Sequence, residues 1–210
     1  MLPNTMEMPR LFEQHIENAI PEITTAELQR ICAACIFKKL RKKETVLREG
    51  EVSRHKIFVT TGLLRNFGIG GNGAEHILRF TDAGSWTADP ESYFSGLPSK
   101  YNIDAVEASE IAMLGHHEME TLVQTIPALD RYFRKMITAN MGLVQQRVLD
   151  AISASAEEKY IGFMKDYPGV FQRVPLHMVA SYLGVSRETL TRIRQGLAAG
   201  VNQKAALVVL

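Results

Sequence analysis

Only two of the 210 residues are cysteine, only one is tryptophan, and charge of either sign is almost in balance, with 24 Lys+Arg against 23 Asp+Glu. Two cysteines cannot build a disulfide framework, so a reduced, intracellular chain is expected. No apolar run approaches the roughly 18 uninterrupted residues of a membrane span. Near-zero net charge excludes a basic tail protein, an acidic solvating chain and a disordered one. The first twenty residues carry Glu7, Glu13 and Glu17 and no apolar core of signal-peptide length, so a cytoplasmic location is expected. What is present is a 46% apolar chain, long enough for one large domain or two small ones.

The balanced total hides an asymmetry. From Phe171 onward the basic residues are Arg173, Arg187, Arg192, Arg194 and Lys204, and the only acid is Glu188, a net of +4. Residues 1–170 are left at −3. A small basic module on a mildly acidic body is the layout expected if one end meets phosphates.

Hydrophobic periodicity divides the chain in three. Thr24 is an expected N-cap for a helix carrying Leu28 and Ile31. The basic run Lys38–Lys43 reads as the wet face of a strand. Between residues 44 and 115 the period is two: Thr45–Leu47, Lys56–Val59, Leu63–Phe67, Glu75–Phe80, Asn102–Glu107 and Ile111–Leu114 read as short strands punctuated by turn-like glycines. Several short strands with no long helix between them predict an antiparallel sandwich or barrel. The stretch Ser85–Tyr101 breaks the rhythm and predicts a short helix or loop. After His116 the period becomes 3.6, with a short helix ended by Pro127 and a long one from about 128 to 152. Leu129, Phe133, Met136, Asn140 and Leu143 follow a 4-3-4-3 spacing there, a coiled-coil seam in which a polar Asn140 fixes register. Packing on its own domain would use the same stripe; its narrowness favours dimerisation. A further helix, Ala156–Tyr167, precedes Pro168.

Residues 174–195 carry the functional signal. Val179, Ala180 and Leu183 make one apolar face, Gly184 supplies the positive φ of a tight turn, Val185 plugs the corner and Ser186 caps a second helix. Leu190 and Ile193 face inward in that second helix, and small Ala180 lets the two helices cross closely. This is a helix-turn-helix by geometry. Arg187, Glu188, Thr191, Arg192 and Arg194 then point outward; an arginine can bond bidentately to guanine and a glutamate can accept from cytosine N4. Ser186 and Thr189 at the helix start suit a phosphate oxygen.

Ser186-Arg187-Glu188-Thr189, followed by Arg192, resembles the recognition helix of the Crp/Fnr family of bacterial transcription regulators. The order of elements resembles it too, as do Glu49-Gly50-Glu51, Phe58-Val59 and Gly62-Leu63, over roughly residues 10–197. The resemblance implies an α+β chain in three parts. Residues 1–127 would form an N-terminal antiparallel β-roll of the cyclic-nucleotide-binding type, a jelly-roll-like double-stranded β-helix acting as sensor. Residues 128–153 would be the dimerisation helix and hinge, and 154–210 a helix-turn-helix domain. It implies a homodimer that reads palindromic double-stranded DNA with helix 186–197, using Arg187, Glu188 and Arg192 as base readers and Ser186 and Thr189 as phosphate contacts. RNA polymerase is the implied further partner.

Two departures from the family pattern matter. Cyclic-nucleotide binders carry a Gly-Glu-Leu turn and then an Arg-Ser or Arg-Thr pair; here the stretch runs from Gly84 through Trp86, Asp89 and Pro90 to Lys100 and Tyr101, and no arginine occurs between Phe80 and Arg131. Trp86, Asp89, Lys100 and Tyr101 are the candidate effector pocket. Without a guanidinium to hold the phosphate, cyclic AMP is not expected to bind usefully. The second departure follows Arg194, where only a short or incomplete wing fits; Ala205–Leu210 is expected to form one strand packed on the domain.

No catalytic role, cofactor or metal is expected. Cys32-Ala-Ala-Cys35 lacks the further ligands of a zinc or iron–sulfur site and, on a helix, reads as packing. His116-His117 lacks i, i+4 histidines, and the spacing of His55 and His76 singles neither out as a haem ligand. A ligand-binding module with a decayed reader, discriminated by absence of salt-sensitive DNA binding, is the alternative. An enzyme on the β-roll ranks third, because only His55 and His76 lie near suitable strand positions.

Overall fold

The computed structural model describes residues 7–207, with side chains over 9–197. Two helices come first, α1 (Glu7–Ala19) and α2 (Thr25–Ala34). Thr24 starts α2 with a capping box: Glu27 donates its N–H to the Thr24 hydroxyl, and the Thr24 N–H donates to the Glu27 carboxylate at 2.9 Å. Eight strands follow: β1 (Cys35–Leu40), β2 (Thr45–Leu47), β3 (His55–Thr61), β4 (Leu63–Ile69), β5 (Glu75–Asp82), β6 (Trp86–Thr87), β7 (Asn102–Ala105) and β8 (Ser109–Gly115). A short helix, α3 (Pro90–Ser95), interrupts them between β6 and β7. Cys35 thus opens a strand and does not share a helix with Cys32, because the helix ends where β-branched and aromatic residues begin to pair with β8.

The strands form two antiparallel four-stranded sheets, in the orders β1-β8-β3-β6 and β2-β7-β4-β5. Their inner faces pack as one core through Leu40, Leu47, Ile57, Val59, Leu64, Ile103, Ala105 and Ile111. Lys38 and Lys39 keep the wet face expected of that run, and elsewhere the outer faces are covered. Phe58, Trp86, Ala112 and Leu114, on the outside of the first sheet, pack against Phe12, Ile16, Ile31, Leu122, Leu129 and Phe133. Leu63, Phe67, Ile77 and Phe80, on the outside of the second, pack against the C-terminal helices. One turn between the sheets depends on glycine: Gly62 has φ +93°, and a Cβ there would lie 2.7 Å from the Ser109 backbone. That proximity lets the Ser109 hydroxyl accept the Leu63 N–H at 3.1 Å.

α4 (His116–Thr125) leads to α5 (Pro127–Ser153), 27 residues and about 40 Å long. α6 (Ala156–Asp166), α7 (Pro168–Phe171), α8 (Leu176–Leu183) and α9 (Arg187–Leu207) complete the described chain. Ser155 caps α6 with a second capping box. The strand expected over 205–210 is helix through Leu207; its last three positions lie outside the described residues. Good helix formers at Ala198, Ala199 and Ala205 and the absence of proline let α9 continue past the 186–197 span. No helix among the described residues is long and apolar enough to cross a membrane.

Candidate nucleic-acid interface

The helix-turn-helix is built from α8 and α9 as the residue types require. Gly184 ends α8 with φ +68°, its N–H reaching back to the carbonyls of Ala180 and Ser181. Val185 N–H donates to Ala180 O at 3.1 Å, which closes the corner. The Ser186 hydroxyl accepts the Thr189 N–H at 3.1 Å and donates to Thr189 Oγ1, so both side chains serve the cap of α9. Leu190 is fully buried with Val179 and Ala180, and Ile193 packs against them. This fixes which side of α9 faces water.

On that side Arg187, Glu188, Thr191, Arg192 and Arg194 are exposed. None of the three arginines is in an ion pair among the described residues, so their guanidinium groups are uncommitted. Glu188 is held ionised below the usual carboxylate range by its own backbone N–H, by the Ser186 hydroxyl and by Arg187 beside it. A permanent acceptor therefore stands between two donors on one helix face. That is the equipment for reading base edges in a major groove.

The residues of the expected effector pocket part company. Trp86 is buried among Phe12, Phe58 and Phe133, and its indole N–H donates to the Tyr132 hydroxyl at 3.2 Å. Asp89 is buried as the N-cap of α3; its carboxylate accepts the Ser92 N–H and, at 2.7 Å, the Ser99 hydroxyl. The Tyr101 N–H donates to the Ser99 hydroxyl at 3.1 Å, which ties Asp89 and Tyr101 into one network. Lys100 stands outside it, exposed and paired with Glu91 at 2.9 Å.

The expected dimer seam is also divided. Leu129 and Phe133 are buried in the chain's own core and Met136 packs against it. Asn140 is half-buried, whereas Leu143 is 62% exposed. The exposed apolar residues of α5 are Ile137, Met141, Leu143, Val144, Val148, Leu149 and Ile152; Leu143 belongs to the expected seam, and Val144 and Val148 run alongside it as the spacing also indicates.

Sequence reasoning missed how the reader sits on the roll. β5 is the edge of its sheet, and α8 lies along it. Ile77 N–H donates to the Ser181 hydroxyl at 3.0 Å, and that hydroxyl donates to Glu75 O at 2.6 Å. Arg147 of α5 donates to Ile77 O at 3.0 Å, to Tyr182 O at 2.9 Å and to Leu78 O, with its guanidinium 3.9 Å above the Tyr182 ring. Arg173, just ahead of α8, pairs with Asp82 and Glu107 of the roll.

Cys32 and Cys35 are free, and burial pushes both thiols up to about 12. Among the described residues no group of three or more His, Cys, Asp or Glu could hold a metal ion.

Comparison with known proteins converges on one architecture. Residues 37–126 match the family model of the cyclic nucleotide-binding domain. The transcriptional activator protein FnrA of Stutzerimonas stutzeri is 23% identical over 171 residues, 74% of this chain and 68% of that protein. The structure of FixK2 from Bradyrhizobium japonicum superposes with a TM-score of 0.70 at 17% identity, covering 79% of this chain and 85% of that one. A transcriptional regulator of the Crp/Fnr family from Eubacterium rectale superposes at 0.67 and 15% identity, covering 88% and 89%. A cyclic-nucleotide-binding-like roll, a long connecting helix and a terminal helix-turn-helix, in that order and with that packing, give this chain the fold of the Crp/Fnr family.

Proposed function

We propose that the protein is a DNA-binding transcription regulator that works as a homodimer and reads a palindromic operator with α9. The observation that carries the reading is the exposed, uncommitted Arg187, Glu188 and Arg192 face, held rigidly by a helix whose other face is buried at Leu190. In this reading Arg187 and Arg192 donate to guanine or to phosphate and Glu188 accepts from cytosine. The Ser186 and Thr189 hydroxyls, being engaged in the cap, act on phosphate by aiming the helix start at it. Two copies joined along the open stripe of α5 would present two recognition helices about one DNA turn apart. Membership in a fold shared with named transcription regulators supports this, and RNA polymerase is the partner such regulators would address.

The roll serves as sensor, and cyclic AMP is not its ligand. Lys100, the cation among the expected pocket residues, is paired with Glu91, and the Asp89 carboxylate is spent on α3 and Ser99. A cyclic phosphate would find no bidentate donor there.

Selection of bound duplexes from a random pool, followed by mobility shifts on the selected site, tests the reading. Arg187→Ala is expected to relax base preference at one position by about 1–3 kcal/mol. Binding that ignores sequence in both the wild type and the variant would sink specific readout.

A further inference from the structure

Arg173 opens the basic C-terminal segment, and among its described arginines it alone is ion-paired. Its Nη1 lies 2.6 Å from Asp82 Oδ1 at the end of β5, its Nε lies 3.3 Å from Glu107 Oε2 in the β7–β8 turn, and its Nη2 meets Glu107 Oε1. Two carboxylates thus surround one guanidinium, leaving the contact with a net charge of −1. The pairing is not a deep structural one: the Arg173 side chain is 30% exposed, and its partners 38% and 35%. At that exposure a phosphate can reach the guanidinium, and the bidentate, two-carboxylate geometry makes Asp82 and Glu107 stronger competitors for it than an isolated surface partner would be.

Position gives the pair its meaning. Arg173 lies three positions before the first residue of α8, and its backbone is fixed by a hydrogen bond from its N–H to Val170 O at 2.9 Å. The first helix of a helix-turn-helix crosses the sugar–phosphate backbone, so a cation at its N-terminal approach lies where phosphates pass. A phosphate offers a guanidinium the same forked acceptor geometry as a carboxylate. We propose that Arg173 is a DNA-phosphate ligand held in reserve by the sensor, so that Asp82 and Glu107 compete with DNA for one guanidinium. The proposal rests on the DNA-binding reading above and adds to it a contact through which the roll sets DNA affinity. Docking of α8 on β5 through Ser181 and Arg147 uses neither carboxylate, so the competition can be removed without removing the dock.

The test uses the full chain and a labelled mixed-sequence duplex about 30 base pairs long, enough for two half-sites. Affinity is read by fluorescence anisotropy from about 50 to 200 mM salt. The double variant Asp82→Asn, Glu107→Gln is expected to bind about three- to tenfold more tightly at low salt, and its log K against log salt to steepen by about 0.9, the signature of one more phosphate contact. Adding Arg173→Ala must abolish both gains. The matched pair Glu22→Gln, Asp130→Asn, which frees Arg131 and Arg134 at the start of α5 instead, must leave the slope unchanged. Glu107→Gln alone keeps its acceptor oxygen and is expected to show the same changes at smaller size, which keeps the test valid if the double variant unfolds. Wild-type affinity and slope in the carboxylate variants, or gains that survive Arg173→Ala, would overturn the proposal while DNA binding stands. No salt-sensitive binding by any of these proteins would instead bring down the DNA-binding reading, and the proposal with it.

Discussion

The two halves of α5 are one continuous helix with one repeating pattern, yet they meet different environments. Leu129 and Phe133 are 1% and 5% exposed, closed in by Trp86, Leu122 and Ile126 of the same chain. About three turns later Val144 and Val148 are 63% and 55% exposed, and Ile152 is 81% exposed. The pattern is continuous because an apolar stripe does not specify whose surface will cover it. Its first half builds the outer layer of the roll, and its second half is left for a second copy under the proposed homodimer.

Substitutions on either side of that divide are expected to fail in different ways. Phe133→Ala removes a ring that packs 5.3 Å from Trp86, and should cost about 3–5 kcal/mol of folding stability in urea denaturation, independent of protein concentration. Val144→Glu with Val148→Glu should leave the far-ultraviolet spectrum intact and raise the dimer dissociation constant about a hundredfold or more in sedimentation equilibrium, since a buried interface would have to take up unpaired charge. Equal association by wild type and variant would place the dimer contact elsewhere. Ser155→Ala, at the junction where α5 gives way to α6, removes the capping box and should cost about 1 kcal/mol in thermal melts.

The cysteines give the gentlest probe of the closed half, because both pack against the core that holds Phe133. Burial raises their thiols from 9.0 to about 12, which favours the neutral form in the folded protein. That contribution to stability is fully present below the unfolded value and is lost as pH rises toward 12. At pH 8 iodoacetamide should therefore label the native chain at least about a hundredfold more slowly than the chain in urea, and Phe133→Ala should narrow the gap. Fast native labelling would show that the layer over the first sheet is open.

Local chemistry was legible in the sequence and distant partnership was not. The turn at Gly184, the cap at Ser186 and the inward Leu190 are all decided within a dozen residues, so the helix-turn-helix could be read from residue types alone. The strands from Thr45 to Leu114 were legible through their period of two. Their doubly covered faces were not, because Phe58 and Phe80 look alike in a string and differ only in which helices arrive above them. Trp86 stood out as a candidate pocket residue because it follows a glycine turn; its partners Phe12 and Phe133 lie far from it in the chain. The Arg173 contacts join residues 91 and 66 positions apart, and no local pattern announces them.

The seat of α8 along β5 has a consequence for the roll taken by itself. An edge strand offers free N–H and C=O groups to any other strand, and side chains from Ser181 and Arg147 occupy Glu75 O, Ile77 N, Ile77 O and Leu78 O. The helix-turn-helix thus also covers the edge of the roll against self-association. A roll cut away from it would present that open edge flanked by Ile77 and Phe80, and would tend to stack on copies of itself.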